Sequence, residues 1–313
     1  MQTSRMHQRT IFAIFAVILL SATTASYGQQ TAHRIKHVLV VTVTMGFRHD
    51  SIPTAEHTIQ QLGDTTGLWT TDFVRTPADM QRMMTDQALT KYDAIVFANT
   101  TGMLPLPDPI GLLAYIRDGH GFVAMHAGSD TFHQWPGQTS GVSRYARMLG
   151  GEFRIHHNQC AVKLQYADPG FPAVAPLIRA AEHSTSANLQ SVESGGTSIA
   201  TPRGWHIFDE IYLFKNFDPT RVHLLLYSMV HPNDGSPKAG LPGLYPISWC
   251  RKYGKGRVFY TALGHRKRTW NDPLYQQHIL GGIKWALGLA RGNARPGNAK
   301  PILINISKDS VNK

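Results

Sequence analysis

GHGFVAMHAGSDTFH, residues 119–133, decides the fold. Gly121–Met125 is a short apolar run bounded by glycine, the pattern of a buried strand. His126-Ala127-Gly128 then turns the chain, and polar residues with a second histidine, His133, follow. In an open α/β sheet, ligands bind beyond the carboxyl ends of the strands. A histidine at such an exit, beside small residues that leave room, is placed for chemistry; a histidine merely satisfied inside a turn is the alternative reading.

Working outward, His37–Thr44 is a β-branched run of strand length that ends in Met45-Gly46-Phe47-Arg48-His49-Asp50-Ser51. Ser51 is a candidate cap for the next helix, Pro53 suits its first turn, and Gly63 is expected to end it. Leu68–Val74 and Asp93–Ala98 read as further strands, and Ile110–Arg117 as a helix stopped by Gly119. Strand–helix alternation with short connections predicts a doubly wound, mostly parallel sheet with helices on both faces. After the central turn a helix is expected at Arg144–Leu149, a half-buried strand at Cys160–Tyr166, and an extended surface loop over His183–Arg203. Glu210–Phe214 and Val222–Met229 are strand-like, and His231–Pro246 reads as a loop. Ile247–Arg251 and Arg257–Ala262 flank Tyr253-Gly254-Lys255-Gly256, a hairpin signal, and Leu274–Leu289 closes the domain as an amphipathic helix.

Residues 1–28 stand apart. Arg5 and Arg9 precede the apolar run Ile11–Leu20, and Ser21, Ala22, Ala25 and Gly28 follow, the layout of a secretory signal peptide. The expectation is an exported chain, periplasmic or secreted, without a stable membrane anchor, since the run is short for a membrane span. The domain then covers 37–289, and 290–313 is a polar tail. The 313 residues, 42% hydrophobic, supply ample core. The formal charge of +11 falls to +9 without Arg5 and Arg9. The positive residues are scattered, apart from Arg266-Lys267-Arg268 and the tail, and no nucleic-acid-binding motif accompanies them. Neither GxGxxG nor a Walker motif occurs, which argues against a nucleotide cofactor. Cys160 and Cys250 are too few for a thiolate zinc site and read as two buried thiols.

Histidines recur at strand exits: His49 after the first strand, His126 after the fourth, His265 after the hairpin. His133 and the pair His156-His157 come from the excursion between. Imidazoles converging there suit either a divalent metal, zinc foremost, or general acid–base catalysis near neutral pH. His49, His126 and His156 are the candidate metal ligands, and His126 and His265 the candidate catalytic bases. Among the carboxylates Asp50, Asp130, Asp209, Glu210 and Asp272, the candidates for binding substrate are Asp130 and Glu210, of which the adjacent pair Asp209-Glu210 is expected to turn only one inward. Trp135, Trp205, Trp249 and Trp270 are either core or sugar-stacking surfaces; Trp135, beside the central turn, is the stacking candidate.

GFRHDSI at 46–52, VAMHAGSDTF at 123–132, MLGGEFRIHH at 148–157, DEIYLFKNF at 209–217 and YGKGRVFYTALGH at 253–265 together resemble the ThuA-like trehalose-utilisation family. The resemblance covers His37–Leu289. It implies a flavodoxin-like fold related to class I glutamine amidotransferases, with His126 at the turn that carries their nucleophilic cysteine and His265 at the place of their catalytic histidine. Imidazole in place of thiol implies that amidotransferase chemistry is absent. The resemblance also implies a role in carbohydrate metabolism beside a sugar oxidoreductase, on trehalose or a related glycoside, in particular a 3-keto-sugar. The small-molecule partner is then a sugar or glycoside, handled as hydrolase, lyase or isomerase, or else held by a non-catalytic binding subunit.

Overall fold

The computed structural model describes residues 34–182, 189–299 and 302. The leader-like segment and most of the polar tail lie outside the described residues.

Alternation appears as expected: β1 (Lys36–Val41), α1 (Ile52–Thr66), β2 (Trp69–Val74), α2 (Pro77–Met83), α3 (Asp86–Leu89), β3 (Ala94–Ala98), α4 (Pro109–Asp118) and β4 (Gly121–Met125). One turn of 3-10 helix, His126–Asp130, leads to α5 (Arg144–Leu149), β5 (Glu152–Ile155) and β6 (Cys160–Tyr166). Next come α6 (Ala175–Glu182), α7 (Leu189–Glu193), β7 (Ile199–Thr201), β8 (Gly204–Asp209), β9 (Leu213–Lys215) and β10 (His223–Val230). The hairpin β11 (Pro242–Tyr253) and β12 (Gly256–Thr261), then α8 (Lys267–Trp270) and α9 (Pro273–Ala286), complete the order.

Ten strands form one sheet in the order β2-β1-β3-β4-β12-β11-β10-β6-β8-β7. The first five are parallel, in the flavodoxin-like 2-1-3-4-5 arrangement whose switch point lies between β1 and β3. From β12 outward each pairing is antiparallel. That half is larger than the single hairpin expected, because β10, β6, β8 and β7 extend it. A separate two-stranded ribbon joins β5 to β9. Helices lie on both sides of the sheet. Every residue of β3 and β4 is buried, as continuous apolar runs covered on both faces require.

Several local expectations change. α1 runs through Gly63 to Thr66 and ends at Gly67, which takes the left-handed φ of 64°. Gly63 answers to packing instead: a Cβ there would stand 2.5 Å from the Trp69 indole nitrogen. Ser51 occupies the N-cap position without a side-chain cap bond; its hydroxyl instead accepts from Asn99 Nδ2 at 3.0 Å. The stretch expected as a loop over 183–203 contains α7 and β7, and β11 begins five residues earlier than its apolar run, at Pro242. α2, α3 and α6 are short elements that the apolar periodicity did not separate from their connections. Cys160 and Cys250 are buried free thiols, and burial pushes the Cys160 thiol up to about 12. No helix among the described residues is long and apolar enough to cross a membrane.

Candidate metal and substrate site

The parallel half of the sheet delivers three imidazoles to one point. His49 follows β1, His126 opens the turn after β4, and His265 lies four residues beyond β12. Their ring centroids are 4.9 Å (His49–His126), 5.2 Å (His49–His265) and 5.3 Å (His126–His265) apart. Glu210, one residue past β8, closes the group. Its Oε2 lies 3.2 Å from His265 Nδ1 and 3.5 Å from His126 Nε2, and those two nitrogens are 3.3 Å apart. One ligand atom from each of His49, His126, Glu210 and His265 falls within 4.8 Å of the others.

Backbone and buried polar bonds hold this arrangement. His126 adopts φ 47°, a conformation that costs a non-glycine residue energy and tends to mark functional turns. Its carbonyl accepts from Tyr260 Oη at 2.8 Å, and its Nδ1 lies 2.8 Å from the Ala262 carbonyl. Since a carbonyl only accepts, Nδ1 carries the proton and Nε2 is turned to the cluster. Gly128 makes the turn possible, as a Cβ there would meet Ala124 Cβ at 2.9 Å. Asn99 Nδ2 donates to both Ser51 Oγ and the Gly264 carbonyl at 3.0 Å, tying together the exits of β1, β3 and β12. Asp209, fully buried, accepts from the backbone N–H of Gly264 and of Glu210. Of the adjacent acids, then, Glu210 enters the site while Asp209 accepts from the backbone of Glu210 and Gly264, the residue before His265.

The residues fit a divalent cation. Ligands around a tetrahedral zinc at ~2.0–2.1 Å stand about 3.3–3.4 Å apart, close to the three spacings among His126, His265 and Glu210. Burial, then the nearby charges of His126 and His265, push His49 down to about 3, which keeps it neutral, the form that ligates. Its Nδ1 is buried without a hydrogen-bond partner among the described residues. Burial works to raise the Glu210 carboxyl, but His126 and His265 outweigh it and hold it below the usual carboxylate range. Burial opposes charge on His265 as well, yet Glu210 prevails and raises it. The fourth ligand candidate is therefore Glu210, expected to bind substrate, and not His156. The His156 Nδ1 lies 3.1 Å from the other Glu210 oxygen, outside the ligand group; His157 faces His231 instead.

A cavity of about 200 Å³ opens over the cluster, walled by Phe47, Asp130, Phe153, His156 and Tyr212 as well as His49, Glu210 and His265. Asp130 belongs to a second polar group. His133 lies 2.5 Å from Asp130 Oδ1 through Nε2 and 2.5 Å from Glu152 Oε1 through Nδ1. Buried Glu152 also accepts from Asn216 at 2.7 Å and pairs with Lys215 at 3.0 Å. The Asp130 hydrogen bond outweighs burial and, with Glu152, raises His133. An imidazole bonded to a carboxylate through each nitrogen is a doubly protonated one, so Asp130 is a cavity carboxylate backed by a positive charge.

Trp135 does not reach the cavity. It is 2% exposed and packs edge-on to Phe132 at 5.2 Å, so no open face is left for a sugar; Trp205, Trp249 and Trp270 are equally buried. The exposed aromatic at the site is Phe47, 67% exposed, with its ring 4.8 Å from His49. Its signal in the sequence was position alone, two residues before a candidate ligand. Asp50 sits outside, paired with Lys267, and Asp272 caps α9.

The family described as ThuA, trehalose utilisation, matches residues 37–286. A ThuA-like protein from Parabacteroides merdae ATCC 43184 superposes with a TM-score of 0.59 at 19% identity, covering 83% of this chain and 92% of that one. A second, from Bacteroides uniformis ATCC 8492, gives 0.58 at 17%, covering 80% and 91%. At these identities the likeness concerns the fold. No match was found among curated proteins. The family match spans most of the chain, and the chain belongs to the ThuA family.

Proposed function

We propose that this member of a family linked to carbohydrate metabolism is a metal-assisted enzyme acting on an oxidised glycoside, a 3-keto-sugar, by hydrolysis, elimination or isomerisation. The observation that carries the reading is the four-residue group His49, His126, Glu210 and His265, with ligand spacing, three of which line a cavity. A divalent cation held there would draw electrons from a substrate carbonyl oxygen. The chain's own residues divide the remaining work. An imidazole nitrogen that ligates cannot also take a proton, so the base role passes from His126 and His265 to Asp130, in the same cavity. A ketone at C3 acidifies the hydrogen at C2, and the Asp130 carboxylate is the acceptor for that proton. His133 and Glu152 fix its orientation through the two hydrogen bonds at 2.5 Å. Tyr212, 4.2 Å from the His126 ring and 4.3 Å from that of Phe153, forms one apolar wall. Exposed Phe47 forms the other, a face on which a sugar ring can stack. In this reading a sugar oxidoreductase supplies the ketone, and the signal-peptide pattern of residues 1–28 supports work outside the cytoplasm.

The test is incubation of the purified protein with trehalose, 3-keto-trehalose and related keto-glycosides, with and without chelator. The keto-sugar should be consumed and trehalose left intact; chelation should stop the reaction and added metal restore it. Keto-glycosides bound but returned unchanged would make the chain a carbohydrate-binding subunit.

A further inference from the structure

Beside the ligand cluster lies a larger hollow of about 500 Å³, which shares Phe47, His49 and His265 with the cavity above the cluster. That volume is within the range of small-molecule sites. The rest of its wall is Arg48, Asp50, Gln159, Arg266, Lys267 and Arg268: four cations against one carboxylate. The sequence cluster Arg266-Lys267-Arg268 thus supplies three of the four.

The one carboxylate is already engaged, since Asp50 pairs with Lys267 at 3.1 Å. Among the described residues the hydrogen bonds of the three guanidinium groups all go to carbonyls. Arg48 donates to the Thr42 carbonyl at 3.3 Å. Arg266 donates to the Gly195 and Phe208 carbonyls at 3.4 and 3.5 Å, and its guanidinium lies 4.7 Å from the Phe208 ring centre. Arg268 donates to the Gly195 carbonyl at 3.0 Å. Such bonds fix where a guanidinium lies without cancelling its charge. Among the described residues none of the three has an acidic partner within ion-pair distance. A guanidinium keeps donors free in a planar fork suited to carboxylate or to phosphate and sulfate oxygens.

We propose that this hollow is a subsite for a negatively charged substituent on the substrate: a carboxylate, as in a uronic acid, or a sulfate or phosphate ester. The reacting sugar then lies over the ligand cluster against Phe47, and its anionic group, or that of the adjoining sugar, lies among Arg48, Arg266 and Arg268. The inference rests on the reading of the cluster as the reacting site, but it concerns binding and is tested without turnover.

Isothermal titration of the purified protein at low ionic strength should compare glucose with glucuronate, glucose 6-sulfate and glucose 6-phosphate. The charged sugars should bind at least about tenfold more tightly than glucose, because hydrogen bonds to charged groups are the stronger ones. The preference of glucuronate over the two esters, or the reverse, identifies the anion. Arg48 is exposed on a loop, so Arg48→Gln should fold normally; it should weaken the charged ligand about 10- to 100-fold and leave glucose unchanged. Added salt should erode the preference. Equal affinity for charged and neutral sugars overturns the proposal. So does charged-sugar binding that survives Arg48→Gln; if chelation then abolishes it, the anion is held by metal and not by the arginines. Turnover of keto-glycosides without any charge preference would leave the catalytic reading standing and remove this inference alone.

Discussion

At the scale of the residue, the site separates into candidate ligands and the groups that aim them. His126 is both: a left-handed residue pinned through Nδ1 and its own carbonyl, so that Nε2 has one direction to face. Asp130 is the clearest single test of the chemistry. Asp130→Asn keeps the size and removes the base, so turnover should fall by about 100- to 10,000-fold while bound metal, read by elemental analysis, stays at the wild-type level. His133→Gln should act more mildly, because it leaves the Asp130 carboxylate in place but removes the imidazolium behind it. Adding His133→Gln to Asp130→Asn should slow turnover no further than Asp130→Asn alone, an outcome that a purely structural role for His133 would not produce. The candidate residues His49, His126 and His265 were legible because each follows an apolar strand. Glu210 was legible as an acid near the site, but its place among the ligands was not: it depends on β8 ending at Asp209 and on which way the next residue turns. The misplacement of Trp135 has a similar cause, since proximity in sequence to a turn says nothing about which face of the ring is covered.

At the scale of the element, the exits of β1, β3, β4 and β12 do the positioning, and glycine sets how closely they approach. Gly128→Ala would place a Cβ 2.9 Å from Ala124 Cβ and 3.1 Å from the Phe97 carbonyl. Because both obstacles belong to buried strands, the turn must shift, at a cost of about 1–3 kcal/mol. Chemical denaturation should register that loss, and metal content should fall with it as His126 is displaced. The parallel strands and their helices could be read from β-branched runs and from alternation. In the antiparallel half β6, β10 and the hairpin could be read as strands, but β7 and β8 could not, and the order in which all of them pair is set by contacts distant in sequence. The expected stop at Gly63 fails for a physical reason: the residue is required by Trp69, whose ring occupies the space a side chain would take.

At the scale of the whole molecule, acid stability reports on how the core treats its histidines. His278 on α9 is fully buried, with Nδ1 2.8 Å from the Ala173 carbonyl and Nε2 without a partner among the described residues. Burial pushes it down to about 4, against an ordinary value of 6.5. Between these values the unfolded chain binds the proton and the folded chain does not, so stability rises with pH. This contribution is complete above about pH 6.5 and is lost as the pH falls towards 4. The full span is on the order of 3 kcal/mol at 1.36 kcal/mol per unit. Unfolding free energies measured from pH 4 to 7 should therefore show a flatter slope for His278→Asn than for the parent chain. An unchanged slope would mean that His278 is not the group titrating.

If four side chains from four strand exits form one metal site, metal stoichiometry will report it. Protein produced with zinc, manganese, nickel and iron available, then dialysed and analysed for elements, should hold close to one divalent ion per chain. His126→Ala and Glu210→Ala should each lose most of it, whereas His156→Ala, outside the ligand group, should retain it. A folded wild-type chain with no bound metal, or metal retained by His126→Ala and Glu210→Ala alike, would mean that these four side chains hold no ion.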